Sequence, residues 1–148
     1  TEESAYVLQP LLLHNNSRVQ AEAWKSLRRT GGTEGGSLMM SILPVVDDDF
    51  KLDIIEMLGL MKYAPAAPML LDLLVQRPLV APASRTDLEE KICISLGKIA
   101  APETLPALQE ISRPKGFFKV SKYPEKVRTA ATRALVAIEA KQTEAHRG

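Results

Sequence analysis

The sequence predicts an all-α chain folded as a right-handed α-solenoid, a superhelix of stacked helix pairs. Three observations predict it. A leucine recurs at Leu27, Leu58, Leu96 and Leu135, each with apolar or small residues four and eight positions before it. Prolines and short polar residues stand where helices would begin. Apolar residues recur at intervals of three and four, the period of one helix face, and not at the interval of two that a strand would show.

The recurrence defines columns. Eight residues before the leucines stand Val19, Phe50, Leu88 and Val127, four before stand Ala23, Ile54, Ile92 and Ala131, and one before stand Ser26, Met57, Ser95 and Ala134. The copies are 31, 38 and 39 residues apart. A second apolar helix is expected after each of the first three copies, over residues 34–46, 65–76 and 102–113. A further helix over 3–14 precedes the first copy, and the last aligned helix covers 125–142. The expected organisation is one domain, 1–148. Its repeats are a partial one at 1–15, then 16–46, 47–77 and 86–113, and a partial one at 124–142. The start at Thr1, without Met, reads as a piece of a longer protein.

Helix boundaries agree with this register. Asn16-Ser17, Asp47-Asp48-Asp49 and Thr86-Asp87 offer N-cap oxygens ahead of an apolar stripe. Pro65, Pro102 and Pro124 fall at expected helix starts, where a missing N–H costs least. Gly31-Gly32 and Gly35-Gly36 read as a flexible break within the first pair. One pair cannot bury its own apolar face, whereas stacked pairs can.

The stretch Val127-Arg128-Thr129-Ala130-Ala131-Thr132-Arg133-Ala134-Leu135 resembles the first-helix motif of HEAT repeats, of the short bacterial kind found in phycobilisome lyases. Ser95-Leu96-Gly97-Lys98-Ile99 through Pro102 and Pro106-Ala107-Leu108 resembles the Leu-Gly-x-Ile turn with its following proline helix. Met57-Leu58-Gly59-Leu60 through Pro68-Met69-Leu70 repeats the theme. The resemblance spans nearly the whole chain and implies the solenoid fold. The chain departs from the family at the turns, where Lys62-Tyr63-Ala64-Pro65 and Ala100-Ala101-Pro102 replace the usual Gly-Asp. It departs also at the position after the first apolar column, which holds Gln20, Lys51 and Glu89 and is arginine only at Arg128.

Composition narrows the function. Net charge is +1, which disfavours a nucleic-acid-binding domain. The single cysteine, Cys93, points to a reducing compartment, and a cytoplasmic location is expected. No apolar run approaches the ~20 residues that span a bilayer; the longest, 69–75, is interrupted by Asp72. The histidines are His14 and His146, and neither has metal-ligand spacing with Cys93. Gly31-Gly32-Thr33-Glu34-Gly35-Gly36 lacks the ending of a phosphate loop. No serine stands in a nucleophile elbow. Asp47, Asp48 and Asp49 read as helix capping, with a cation site as the alternative. Cys93 reads as a small core residue and Trp24 as packing. On these grounds the chain is expected not to be an enzyme, and to need no metal or cofactor.

Two surfaces stand out as candidate binding sites. From Arg113 to Arg133 the chain is net +6, leaving −5 for the rest, and Phe117, Phe118 and Tyr123 lie within that stretch. Lys115, Phe117, Phe118, Lys119, Lys122, Tyr123 and Arg128 are the candidates there. Aromatics among cations can grip acidic partners, stack on bases or dip into a membrane surface. Equally, the phenylalanines can fold back over the core while the lysines stay solvated. A second unusually long connection covers 77–85. The other candidate surface is the face of the second helices, which the resemblance places on the concave side. Ser41, Asp72 and Glu110 form one row there, and Leu38, Met69 and Ala107 another. The function expected is a non-catalytic scaffold that binds another protein or another domain of its own chain. The alternatives are a tetrapyrrole-binding subunit like the phycobilin lyases and a HEAT-like nucleic-acid binder.

Overall fold

The computed structural model describes residues 8–30, 32–78, 80–113 and 122–147. Within them the chain is an all-helical solenoid of α-helices and short 3-10 turns, with no strand. The helices are α1 (Gln9–Leu12), α2 (Ser17–Thr30), α3 (Gly32–Ile42), α4 (Asp48–Leu60), α5 (Ala67–Val75), α6 (Ala83–Ile99), α7 (Leu105–Ser112) and α8 (Glu125–Arg147). α2, α4, α6 and α8 are the aligned first helices. α3, α5 and α7 are the second helices, and α1 precedes the array.

The columns form the core. Leu27, Leu58 and Leu96 are fully buried, as are Ile54, Ile92 and Ala131 four residues before their leucines. Leu135, on the last described helix, is only half-buried. Trp24 packs edge-on against Phe50 with ring centroids 5.2 Å apart, joining α2 to α4. Cys93 is buried inside α6, as a core thiol should be.

Two expected caps hold and one does not. Asn16 Oδ1 accepts from the Arg18 and Val19 amides, and Asp47 accepts from Phe50 at 2.8 Å. Thr86 and Asp87 do not cap α6. That helix starts at Ala83, behind Pro82, whose fixed φ leads the chain into it. Pro65 and Pro102 open 3-10 turns, and the α-helices follow with Pro68 and Pro106 in their first turns.

The glycines behave differently from expectation. Gly35 and Gly36 lie inside α3, not in a break. A Cβ on Gly36 would stand 2.7 Å from the Tyr63 ring, so the missing side chain makes room for the aromatic. Gly59 and Gly97 are likewise inside helices rather than in turns. A Cβ on Gly59 would meet Ser95 at 2.6 Å, and one on Gly97 would meet Ala134 at 3.1 Å. The positions that need a left-handed backbone are Lys62 (φ 53°) and Ala100 (φ 58°). At Lys62 the Tyr63 amide bonds back to the Leu58 carbonyl and the Lys62 amide to Gly59, both at 3.0 Å, a Schellman closure.

Candidate functional site

A groove of about 940 Å³ opens between α6 and α8. The helices run in the same direction. Near their starts Lys126 reaches Asp87 at 3.1 Å and Glu90 at 3.6 Å, and further along Gly97 lies against Ala134. Small residues at that contact let the helices approach closely, so the floor beside it is shallow and apolar. It consists of Ile94, Gly97, Ala130, Ala134 and Ala137, with Ile94 40% exposed.

The rim is charged. Lys62, Lys98, Lys126, Arg133 and Lys141 line the groove, with Glu90 and Glu125 as its carboxylates. Lys126 is committed to Asp87 and Glu90, and its hydrogen bond to Asp87, above all, raises its pKa. The other four cations make no ion pair among the described residues. The left-handed turns at the ends of α4 and α6 bring Lys62 and Ala100 to this same groove.

A second cluster is structural. Glu89 is fully buried on α6, yet it meets Arg77 at 2.5 Å and Arg85 at 3.6 Å. Arg85 also donates to the Leu73 and Gln76 carbonyls at the end of α5. Arg77 lies 5.5 Å over the Tyr123 ring, and the Tyr123 hydroxyl donates to the Leu74 carbonyl at 3.0 Å. Burial pushes the Glu89 carboxyl above the usual glutamate value, against the pull of both arginines. The chain thus builds a carboxylate–guanidinium contact between repeats with the acid on the first helix, at a position where the family resemblance suggests arginine. Burial also pushes the Cys93 thiol up to about 12, with Glu89 and Glu90 adding to it.

The residues singled out from sequence fall as follows. Lys115, Phe117, Phe118 and Lys119 lie outside the described residues. Lys122 is exposed, with its Nζ 6.0 Å from the Tyr123 ring, and Tyr123 is half-buried against α5. Arg128 is half-buried, and its Nε has no hydrogen bond among the described residues. Ser41, Asp72 and Glu110 are exposed on the second helices and Met69 is half-buried. Ser41 bonds to the Leu38 carbonyl at 2.7 Å, and Glu110 pairs with Arg113 at 3.3 Å. Leu38 is not a surface residue: it is fully buried, because α3 turns that face into the core. The Asp47–Asp49 run caps α4, and no cluster of three or more His, Cys, Asp or Glu placed to hold a metal occurs among the described residues. No described helix is long and apolar enough to cross a membrane.

Sequence reading missed the groove. A signal existed: Arg133, Ala137 and Lys141 recur every four residues on α8, and Ile94 and Lys98 do so on α6. Their significance depends on two helices meeting, which one helix's periodicity does not reveal.

The chain matches no protein-family model and no curated protein. It is similar in structure to human deoxyhypusine hydroxylase, solved in complex with glycerol, at 24% identity and a TM-score of 0.72. The likeness covers 97% of this chain and 46% of the hydroxylase, so the chain spans about half that protein's length. One expectation is corrected here. The absence of a known catalytic motif suggested that the chain is not an enzyme, yet the architecture over nearly its whole length is one that an enzyme uses. The repeat fold therefore gives no ground for setting enzymatic activity aside. What the likeness shows is the fold, a HEAT-like all-helical solenoid.

Proposed function

We propose that the chain is a HEAT-type docking module that binds a protein segment in the groove between α6 and α8. The observation that carries this reading is the set of four cations, Lys62, Lys98, Arg133 and Lys141, that make no ion pair among the described residues and surround an apolar floor. Buried apolar surface supplies affinity and the charges supply specificity and encounter rate. A reducing, cytoplasmic setting suits the lone, buried thiol of Cys93. The test is a photo-crosslinking amino acid placed at Ala137 and expressed in the native cell. A discrete protein adduct at Ala137, absent when the probe sits at the exposed Val136, is expected. No adduct at Ala137, or the same adducts at both positions, would overturn the reading.

A second reading is favoured by the hydroxylase likeness. In it the chain is part of an enzyme, and the docked segment is what that enzyme modifies. The crosslinked segment would then differ in mass between cells that make this chain and cells that do not. Intact mass of the recovered segment decides between these.

A further inference from the structure

We infer that the occupant of the α6–α8 groove is an acidic amphipathic α-helix about three turns long, lying along the two helices with its carboxylates gathered at one end. This rests on the groove being a docking site, as proposed above.

The argument for a helix starts from the backbone. Most of the lining comes from within α6 and α8, where N–H and C=O groups are already used by the helices themselves. The groove has no sheet edge to pair with an extended peptide. A helix brings its own backbone bonds and needs only side-chain contact. The floor of Gly97, Ala130, Ala134 and Ala137 allows close approach, and Ile94, 40% exposed, adds the large apolar side chain of that floor. From Glu90 to Ala100 the lining follows ten residue steps along α6 and its C-cap, about 15 Å at ~1.5 Å per step, which sets the length of the guest.

Charge sets its chemistry and its direction of bias. Glu90, Glu125 and Lys126 lie near the start of α8, where Lys126 is neutralised by Asp87 and Glu90. Lys62, Lys98, Arg133 and Lys141 lie further along, with no carboxylate among the lining residues there. A guest with glutamates or aspartates at that end and neutral or basic residues at the other meets complementary charge throughout. A nucleic-acid strand fits less well. The lining holds no aromatic for base stacking, and Glu90 and Glu125 interrupt any cationic track.

The test uses a fluorescein-labelled synthetic helix about three turns long, with a Leu/Ala stripe and four glutamates at one end, titrated by anisotropy. Three comparison probes are its lysine-for-glutamate counterpart, a scrambled peptide of the same composition, and a short DNA duplex. Binding of the glutamate helix is expected, weakened at least tenfold in the double variant Lys98→Glu, Arg133→Glu and in the groove-filling Ala137→Trp. Circular dichroism melts check that both variants fold. A control pair, Arg18→Glu with Lys25→Glu on α2, should bind like the parent. Equal binding of the scrambled or lysine peptide, unchanged binding by the folded variants, or capture of DNA alone would overturn the inference. If the Ala137 crosslink captures a protein segment that is not an acidic helix, the inference falls while the docking reading stands. If neither the crosslink nor the peptide binds, both fall.

Discussion

The Ser95 hydroxyl donates to the Ile55 carbonyl at 2.7 Å, fully buried between α6 and α4. The bond ties one first helix to the next at a point where Gly59 allows the backbones to meet. The equivalent place one repeat later has Ala134 against Gly97 and no hydroxyl. The same column therefore joins successive repeats by hydrogen bond in one case and by close contact alone in the other.

Gly59→Ala is expected to cost about 1–3 kcal/mol, the range for forcing atoms into a packed core. The new Cβ would stand 2.8 Å from the Ser95 Cα, a backbone atom that cannot swing away. Ser95→Ala should cost less, about 1 kcal/mol for one hydrogen bond. Urea unfolding of both variants checks the order, and a harmless Gly59→Ala would mean that the two helices do not meet there.

Leu96→Ala should destabilise by about 2–5 kcal/mol, because the side chain is fully enclosed. Leu135→Ala, in the same column but half-buried on the last helix, should lose clearly less. Equal losses in thermal melts would contradict the stacking order.

Glu89→Ala leaves two arginines facing a space that held their carboxylate. A loss of about 3 kcal/mol or more is expected, as for breaking a buried ion pair from one side. Adding Arg77→Met and Arg85→Met to that variant should recover part of the loss. Chemical denaturation of the single and triple variants measures this, and a triple variant weaker than the single one would show that the arginines serve mainly through their other contacts, Arg85 with the carbonyls at the end of α5 and Arg77 with the Tyr123 ring.

Cys93 gives a pH signature. Its thiol is raised in the fold from 9.0 to about 12, chiefly by burial. A thiol with a raised folded value favours the fold fully below pH 9 and loses that contribution as pH rises towards 12. Stability should fall over that window, and Cys93→Ala should fall less steeply. Thiol reagents at neutral pH should label the chain only as fast as it opens, and rapid labelling of the folded chain would refute the burial.

The register of the stack was legible because burial repeats with the helix. Columns at four and eight residues before each leucine needed no knowledge of neighbours, and Asn16 and Asp47 announced their helices through local hydrogen bonds. The misreadings share a cause. Gly35 and Gly36 look like a break in isolation, and only the Tyr63 ring from another element explains why they sit inside α3. Leu38 looks from sequence like a member of an exposed row, because the rotation of α3 depends on its packing. Thr86 and Asp87 resemble caps, but Pro82 starts the helix earlier. The groove escaped for the same reason, since its cations come from α6, α8 and the turn after α4.

The two left-handed turns carry side chains, at Lys62 and Ala100, while Gly59 and Gly97 sit three residues earlier inside helices. The usual distribution of tolerance is thereby reversed. A residue at Ala100 meets chiefly its own backbone preference, at ~1–2 kcal/mol for a left-handed side chain, whereas a Cβ at Gly59 would stand 2.8 Å from the Ser95 Cα and force that helix to shift, and one at Gly97 would stand 3.1 Å from Ala134 and press its neighbour less. Drift among descendants of this sequence is expected to collect at Ala100 and to leave Gly59 fixed.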